Sequence, residues 1–577
     1  MDLPIAKQRD RIIQTILENP VTIIVAETGS GKSTQVPRYL LDHGFRVMVT
    51  QPRRLAAFSV AEFVAAEYGE PLGCTIGVRT RDDKISSEKT RLLFATDGLV
   101  VMRELMGHNS EFDVLIIDEV HEWNVHIEAL VALARKAITE GHQIKIVIMS
   151  ATLDAERLSA YFDDAPVVTV TGRTHLVKKI KKGASIADDA NALLKRGKNV
   201  LIFVPGKREI HDLMEVLDSE HRRDAVILPL HAELDTHKQQ RCFKHYDRPK
   251  CIIATSVAQT SITIDDIDAV IDSGLENRAC VVGGVTGLYE EVISLADAEQ
   301  RRGRAGRTKL GYYIDHAPEV ERDEYPVPEI MRIKLEQIAL KLAMVGHRMQ
   351  DIAFFHQPPE YLVRDAESTL QALGCLSPSG KVTKKGGRIA LLPVSVEAGC
   401  MLLEAERLGV VDEIIPVISV FEASGITEGD GRIGFGGWRE LCGDEQDSDL
   451  IAQSKVFMAI RSMPRHVRER YTLRPKAVER AEGVYKSLMR DLAEKVNLDA
   501  LYGGKEAVIA SIRSGLLDTF RRTSKRRVYS SVNGEKRTLQ KSSIIDHHRR
   551  IVGVPWDLRP DLGGEVKAFI LFATKAA

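Results

Sequence analysis

The sequence predicts an α/β protein: two tandem doubly wound domains, then a helical region and a small β module. Three observations carry this. Short apolar, β-branched runs alternate with helical segments over the first 310 residues, the mark of parallel strands buried on both faces. A glycine-rich turn separates the first run, Val21–Val25, from a helix. After residue 325 the alternation stops, and helical periodicity gives way near the C-terminus to a hairpin signal. Composition agrees, with hydrophobic residues at 44% and charged residues at 28% of 577. That balance excludes a disordered or fibrous chain.

In the first domain the strand runs are Val21–Val25, Val47–Thr50, Val114–Ile117 and Ile144–Met149. A second set, Asn199–Val204, Cys251–Thr255 and Ala269–Asp272, places the junction near residues 165–180. Pro326 and Pro328 precede a helical pattern through Ile338, Leu342 and Val345, and Pro358-Pro359 breaks it. Ser379–Gly387 reads as a β-wing turn. Helices dominate from 394 to 515, interrupted by seven glycines between Gly425 and Gly443 that predict a mobile loop. Arg527–Val532 followed by Asn533-Gly534 predicts a hairpin. The expected domains are 1–170, 171–325, 326–393, 394–515 and 516–577.

Lys+Arg 80 against Asp+Glu 81 leaves a net charge of −1, so any track for a polyanion must be local. The densest basic stretch is Arg521–Arg550, with ten Lys/Arg and two Asp/Glu; Arg526, Arg527, Lys536 and Arg537 are its expected phosphate contacts. Seven scattered cysteines with no CxxC pair argue against zinc or a disulfide framework and for a reducing compartment. Neither a signal peptide nor a membrane span is apparent. A soluble, cytoplasmic protein is expected.

Ala26-Glu27-Thr28-Gly29-Ser30-Gly31-Lys32-Ser33-Thr34 follows a strand and opens a helix. In that context backbone N–H groups and the helix dipole surround phosphates. Lys32 would reach the β- and γ-phosphates and Ser33 would ligate Mg²⁺. Asp118-Glu119-Val120-His121 follows the strand Val114–Ile117, at the sheet edge where ligands of open α/β sheets sit. Asp118 suits the metal's hydration shell, and Glu119 suits the general base that polarises water.

Asp118–His121 together with Gln300-Arg301-Arg302-Gly303-Arg304-Ala305-Gly306-Arg307 resembles the signature of DEAH-type superfamily 2 helicases. Thr50–Arg54, Thr96-Asp97-Gly98, Ser150-Ala151-Thr152, Phe203–Gly206 and Thr255–Ile264 extend the match in family order. Val270–Leu275 with Thr286-Gly287-Leu288 is most similar to the bacterial HrpB/HrpA-like group. The strong motifs cover about residues 4–310; the rest resembles the family's winged-helix, helical ratchet and OB-like modules more weakly, Arg474–Ala477 among them.

The resemblance implies two RecA-like domains with ATP, or another NTP, and Mg²⁺ between them. It also implies RNA as partner, with DNA possible, and 3′-to-5′ movement of a monomer. His121 would belong to the nucleotide set. Gln300 would position the attacking water, and Arg304 and Arg307 would reach the γ-phosphate as fingers supplied in cis. Read without the family, the same arginines fit a basic patch for nucleic acid. Arg53, Arg54, Thr96 and Gly98 on the first domain, with Thr255 and Thr260 on the second, would contact the nucleic-acid backbone, giving sequence-tolerant, salt-dependent binding. Three positions depart from the family pattern: Gln259 replaces a usual Glu, Phe63 a common Arg and Leu275 a frequent Phe. Trp123 likewise stands where Arg is common. Two rival readings remain, a nucleotide-switched RNA clamp and a DNA translocase of the same superfamily.

Overall fold

The computed structural model describes the chain except residues 1–2, 28, 81–82, 106–110, 152–153, 172–174, 222–223, 235, 260–263, 308, 432–436, 493–503 and 577. Two compact units are present. The first comprises Met1–Leu230, Cys242–Glu276 and Val292–Val363; the second His231–Arg241, Asn277–Glu291 and Arg364–Ala577.

The first unit holds two sheets. Strands β1 Val21–Ala26, β2 Val47–Gln51, β3 Ile76–Arg79, β4 Lys84–Ile85, β5 Leu92–Thr96, β6 Val114–Ile117, β7 Lys145–Ser150 and β8 Val167–Val170 form one in the order β4-β3-β5-β2-β6-β7-β1-β8. All its pairings are parallel except β3 with β4. β2 and β6 are buried along their whole length, which is why they read as unbroken apolar runs. β9 Val177–Lys179, β10 Val200–Phe203, β11 Val226–Leu230, β12 Lys250–Ala254 and β13 Ala269–Asp272 begin the second sheet. A hairpin, β14 Leu275–Val282 and β15 Val285–Val292, interrupts the series before β16 Gly311–Asp315. The second sheet runs β11-β12-β10-β13-β16-β9, with parallel pairings throughout. Ile24, Ile116 and Met149 sit in the first core, and Ile202, Ile253 and Ile271 in one of the two layers that cover the second sheet.

The second unit joins a helical core to a barrel. Helices Val396–Leu408, Val411–Glu422, Asp449–Arg461, Pro475–Asp491 and Gly504–Gly515 pack around Ile418, Trp438, Phe457 and Leu488. Within the glycine-rich stretch, Gly431 lies against the fully buried Trp438, where a Cβ would come within 2.2 Å of the indole; Gly434 and Gly436 lie outside the described residues. At the expected wing the chain makes a tight, antiparallel-bridged turn. Leu376 and Val382 bridge antiparallel, and Thr383 then caps the helix Lys384–Ala390 through the Gly386 N–H, because a Thr so placed satisfies an otherwise unpaired donor of the first turn.

Strands β17 Thr519–Arg522, β18 Val528–Ser531, β19 Lys536–Leu539, β20 Arg550–Arg559 and β21 Lys567–Lys575 close into a five-stranded barrel through β20–β21. Asn533-Gly534 turns between β18 and β19, with Gly534 at φ 86°. β15 adds the hairpin to this barrel by pairing with β20, Gly287 opposite Asp557.

The basic stretch needs one correction. Arg537 is buried and ion-paired to Asp557 at 2.6 Å, and Arg527 donates to the carbonyls of Gln540 and Ser543. Both side chains build the barrel rather than facing outward. The exposed cations are Arg521, Arg522, Lys525, Arg526, Lys536, Lys541, Arg549 and Arg550, and Arg526 pairs with Asp546. Among the described residues no helix is long and apolar enough to cross a membrane.

Candidate active site

The loop after β1 turns through Gly29 and Gly31, at φ 86° and 92°, a left-handed backbone that only glycine adopts without strain. Helix Lys32–Asp42 starts at once, so its first N–H groups and its dipole face the loop. Ser30 Oγ and Glu27 Oε2 are buried there without a hydrogen-bond partner. Ala26 ends β1; Thr34 Oγ1 donates to the Gly31 carbonyl. Thr28 lies outside the described residues.

Lys32 is buried, and its Nζ donates to Glu119 Oε1 at 3.2 Å. Burial opposes its charge, but the Glu119 and Asp118 carboxylates outweigh this and hold its pKa above the ordinary value. Glu119 is held below the usual carboxylate range: burial works against ionisation, and Lys32 and His121 overcome it. Asp118, fully buried, is pushed up to about 6 by burial and by its neighbour Glu119. It accepts from Gln51 Nε2 at 2.7 Å, with Ser33 also bonded to it, while its own N–H donates to Thr50 Oγ1. His121 lies 3.3 Å from Ser150 Oγ and 3.4 Å from Glu119 Oε2; burial lowers its pKa against the attraction of Glu119. Glu119 and Trp123 flank this turn at φ 53° and 37°, a cost accepted only where surrounding structure imposes it.

The second domain brings Arg304 toward the same carboxylate. Arg304 is buried, and burial, the adjacent Arg307 and Arg53 lower its pKa to about 9 against the attraction of Glu119. Arg307 is lowered by burial as well. Arg304 donates to the Gln259 carbonyl oxygen. Gln300 lies in the helix Leu295–Arg302, its Oε1 3.4 Å from Gln259 Nε2. The cleft therefore gathers Lys32 and Arg304 around Glu119. Those two cations, the orphaned Ser30 Oγ and the glycine loop fit a nucleoside triphosphate. Among the described residues no three His, Cys, Asp or Glu side chains gather as metal ligands. Mg²⁺ does not need them, since it binds through one or two protein oxygens plus phosphate and water; Ser33 and Asp118 meet that requirement.

Of the expected nucleic-acid residues, Arg53, Arg54, Thr96 and Gly98 lie at or just past the ends of the adjacent strands β2 and β5. Gln51 and Thr96 are opposite one another where β2 and β5 end. Arg53 pairs with Glu122 at 3.4 Å and Arg54 with Asp83 at 2.6 Å. A Cβ on Gly98 would come 3.2 Å from the His126 ring. Thr255 follows β12, and Thr260 lies outside the described residues.

Sequence reasoning missed Gln51, Asp97, Arg301 and Asp272. Asp97 is pushed up to about 7 by burial and accepts from Asn124 Nδ2 at 2.9 Å. Arg301 is fully buried and pairs with Asp272 at 2.8 Å. Its spacing of four from Asp297 was the available signal, since it puts both on one helix face. In comparison with known protein families, residues 7–160 match the DEAD/DEAH box helicase model and residues 185–309 the helicase conserved C-terminal domain. The chain thus carries the two tandem domains of a superfamily 2 helicase, an ATP-dependent enzyme.

Proposed function

We propose that this protein is a DEAH-type helicase of the HrpB/HrpA-like group that unwinds or remodels RNA or ribonucleoprotein, moving 3′ to 5′. The observation that carries the ATP-driven part is the convergence of Lys32 and Arg304 on Glu119 from two domains. The loop 26–34 and Lys32 hold the triphosphate, and Ser33 and Asp118 hold Mg²⁺. ATP supplies the transferable γ-phosphoryl group, and Mg²⁺ held by Ser33 and Asp118 would neutralise part of its charge. Glu119, kept ionised by Lys32, takes the proton of the attacking water, which Gln300 orients. Arg304 and Arg307 offset the charge that develops on the phosphoryl oxygens. Because they belong to the second domain, hydrolysis follows cleft closure, and closure becomes movement along the strand.

RNA contacts are assigned to Arg53, Arg54, Thr96, Gly98, Thr255 and Thr260. The C-terminal half is read as winged-helix (326–393), ratchet (394–515) and OB-like (516–577) modules; the OB-like reading is supported by the closed barrel. The test is steady-state ATPase with single-stranded RNA and with single-stranded DNA, in wild type and Glu119→Gln. Stimulation by RNA above DNA, lost in Glu119→Gln, is expected. Stimulation by DNA alone overturns the RNA assignment.

A further inference from the structure

One residue outside the assigned set grips the arginine-bearing helix at two points. Gln259 is buried on the segment after β12. Its Nε2 donates to Asp297 Oδ1 at 2.6 Å, and its Oε1 accepts from Arg301 Nε at 3.0 Å. The neighbours fix the amide's orientation, since an ionised carboxylate only accepts and a guanidinium only donates.

Asp297 and Arg301 are one turn apart on the helix Leu295–Arg302, so one side chain holds both ends of that turn. Asp297 is itself tied to the helix start, its Oδ2 accepting from Ser294 Oγ at 2.8 Å. Arg301 is anchored beyond Gln259 by Asp272. The main chain of Gln259 then takes Arg304 through its carbonyl oxygen.

We infer that Gln259 is a positioning residue that sets the helix carrying Gln300 and, just past its end, the fingers Arg304 and Arg307, and that its amide is required because Asp297 faces it. A carboxylate in place of that amide would still accept from Arg301, but its second oxygen would meet the Asp297 carboxylate. Two buried carboxylates at hydrogen-bond distance cannot both stay ionised, so the helix would be pushed away or one group protonated. The departure from the family's Glu is thereby matched by Asp297, and the two positions form a unit. Gln259 also lies within Thr255–Ile264, the segment to which RNA contacts are assigned, so it ties strand binding to finger placement. This inference rests on the finger reading above.

The experiment moves the amide across the pair. Gln259→Glu is expected to lower RNA-stimulated kcat roughly tenfold to a hundredfold, the scale of a 1 Å misplacement, with KM for ATP little changed. Gln259→Glu combined with Asp297→Asn is expected to restore kcat to within about threefold, because the amide now carried by the helix can donate to the introduced carboxylate. Wild-type kcat in Gln259→Glu, or no restoration in the double variant for any reason including misfolding, overturns the inference. Arg304→Ala separates it from the reading beneath. Full turnover in Arg304→Ala removes the finger assignment, whereas an inactive Arg304→Ala beside a normal Gln259→Glu overturns the role of Gln259 alone.

Discussion

Lys32 Nζ, buried, and Glu119 Oε1, partly exposed, stand 3.2 Å apart, each holding the other in its charged form. The pair divides binding from chemistry. Glu119→Gln keeps the shape and loses the base, so turnover is expected to fall by about 10² or more while nucleotide affinity stays within a few-fold. Lys32→Ala is expected to weaken nucleotide binding itself. Fluorescent-nucleotide titration beside steady-state ATPase checks both, and normal turnover in Glu119→Gln would remove the assignment.

Arg304→Ala and Arg307→Ala are each expected to cost about 10³ in RNA-stimulated kcat, the lower end for an arginine finger. RNA affinity should remain. Single-turnover hydrolysis with RNA pre-bound is the measurement; lost RNA binding with full turnover per complex would instead identify a basic patch.

On the barrel, Lys536 is opposite Ser530, Ser530 opposite Arg521, and Arg521 opposite Arg550. Three cations thus share one cross-strand row, an unfavourable arrangement until an anion joins it. Replacing Arg521, Lys536 and Arg550 by Gln is expected to weaken RNA binding and reduce the slope of log affinity against log salt by about 2, at roughly 0.7 per lost phosphate contact. ATPase without RNA should not move. An unchanged slope returns the row to the role of a solvated face.

Arg537→Gln belongs to another class. It removes the ion-pair partner of the buried Asp557 and is expected to cost about 3 kcal/mol of barrel stability. Thermal unfolding of the full chain tests this, and a midpoint within about 1 °C of wild type, against the several degrees such a loss implies, would contradict it.

Asp449 begins a helix of the second unit with its carboxyl buried, accepting from Ser543 Oγ and the Ile544 N–H. Burial pushes its pKa up to about 6 from 3.8. The folded state therefore favours the protonated acid, and its contribution to stability is present below about pH 4 and lost as pH rises through about 6. Asp449→Asn should remove that loss. Its melting temperature relative to wild type is expected to rise between about pH 4 and pH 7; a constant difference would show that Asp449 does not titrate there.

How much of this was legible in the sequence follows from where each signal lives. Val21–Val25 and Val114–Ile117 announced themselves because a strand buried on both faces leaves few polar positions to blur the run. Lys32, Asp118 and Glu119 were legible because phosphate and metal chemistry fixes residue type and spacing together. Arg537 was misread as outward-facing because a charge count over Arg521–Arg550 cannot see Asp557, twenty residues on and across β21. Gln259 was noticed only as a missing charge. Its function lies in a pairing with Asp297, 38 positions later, that becomes visible only when the helix is laid beside the segment after β12.

The ladder between Gly287 and Asp557 also sets a timetable for synthesis. When the ribosome has made the second sheet, the hairpin β14–β15 exists, but β20 lies some 270 residues ahead. At about 5–20 residues per second that is a wait of tens of seconds. Throughout it the outer edge of β15 has unmet backbone donors and acceptors, the template on which nascent chains pair wrongly. Glu290 and Glu291 on that strand supply the charge that discourages such pairing. A chain cut off after residue 325 would keep the hairpin and never receive its partner, so aggregation rather than a free motor fragment is the expected product of that truncation.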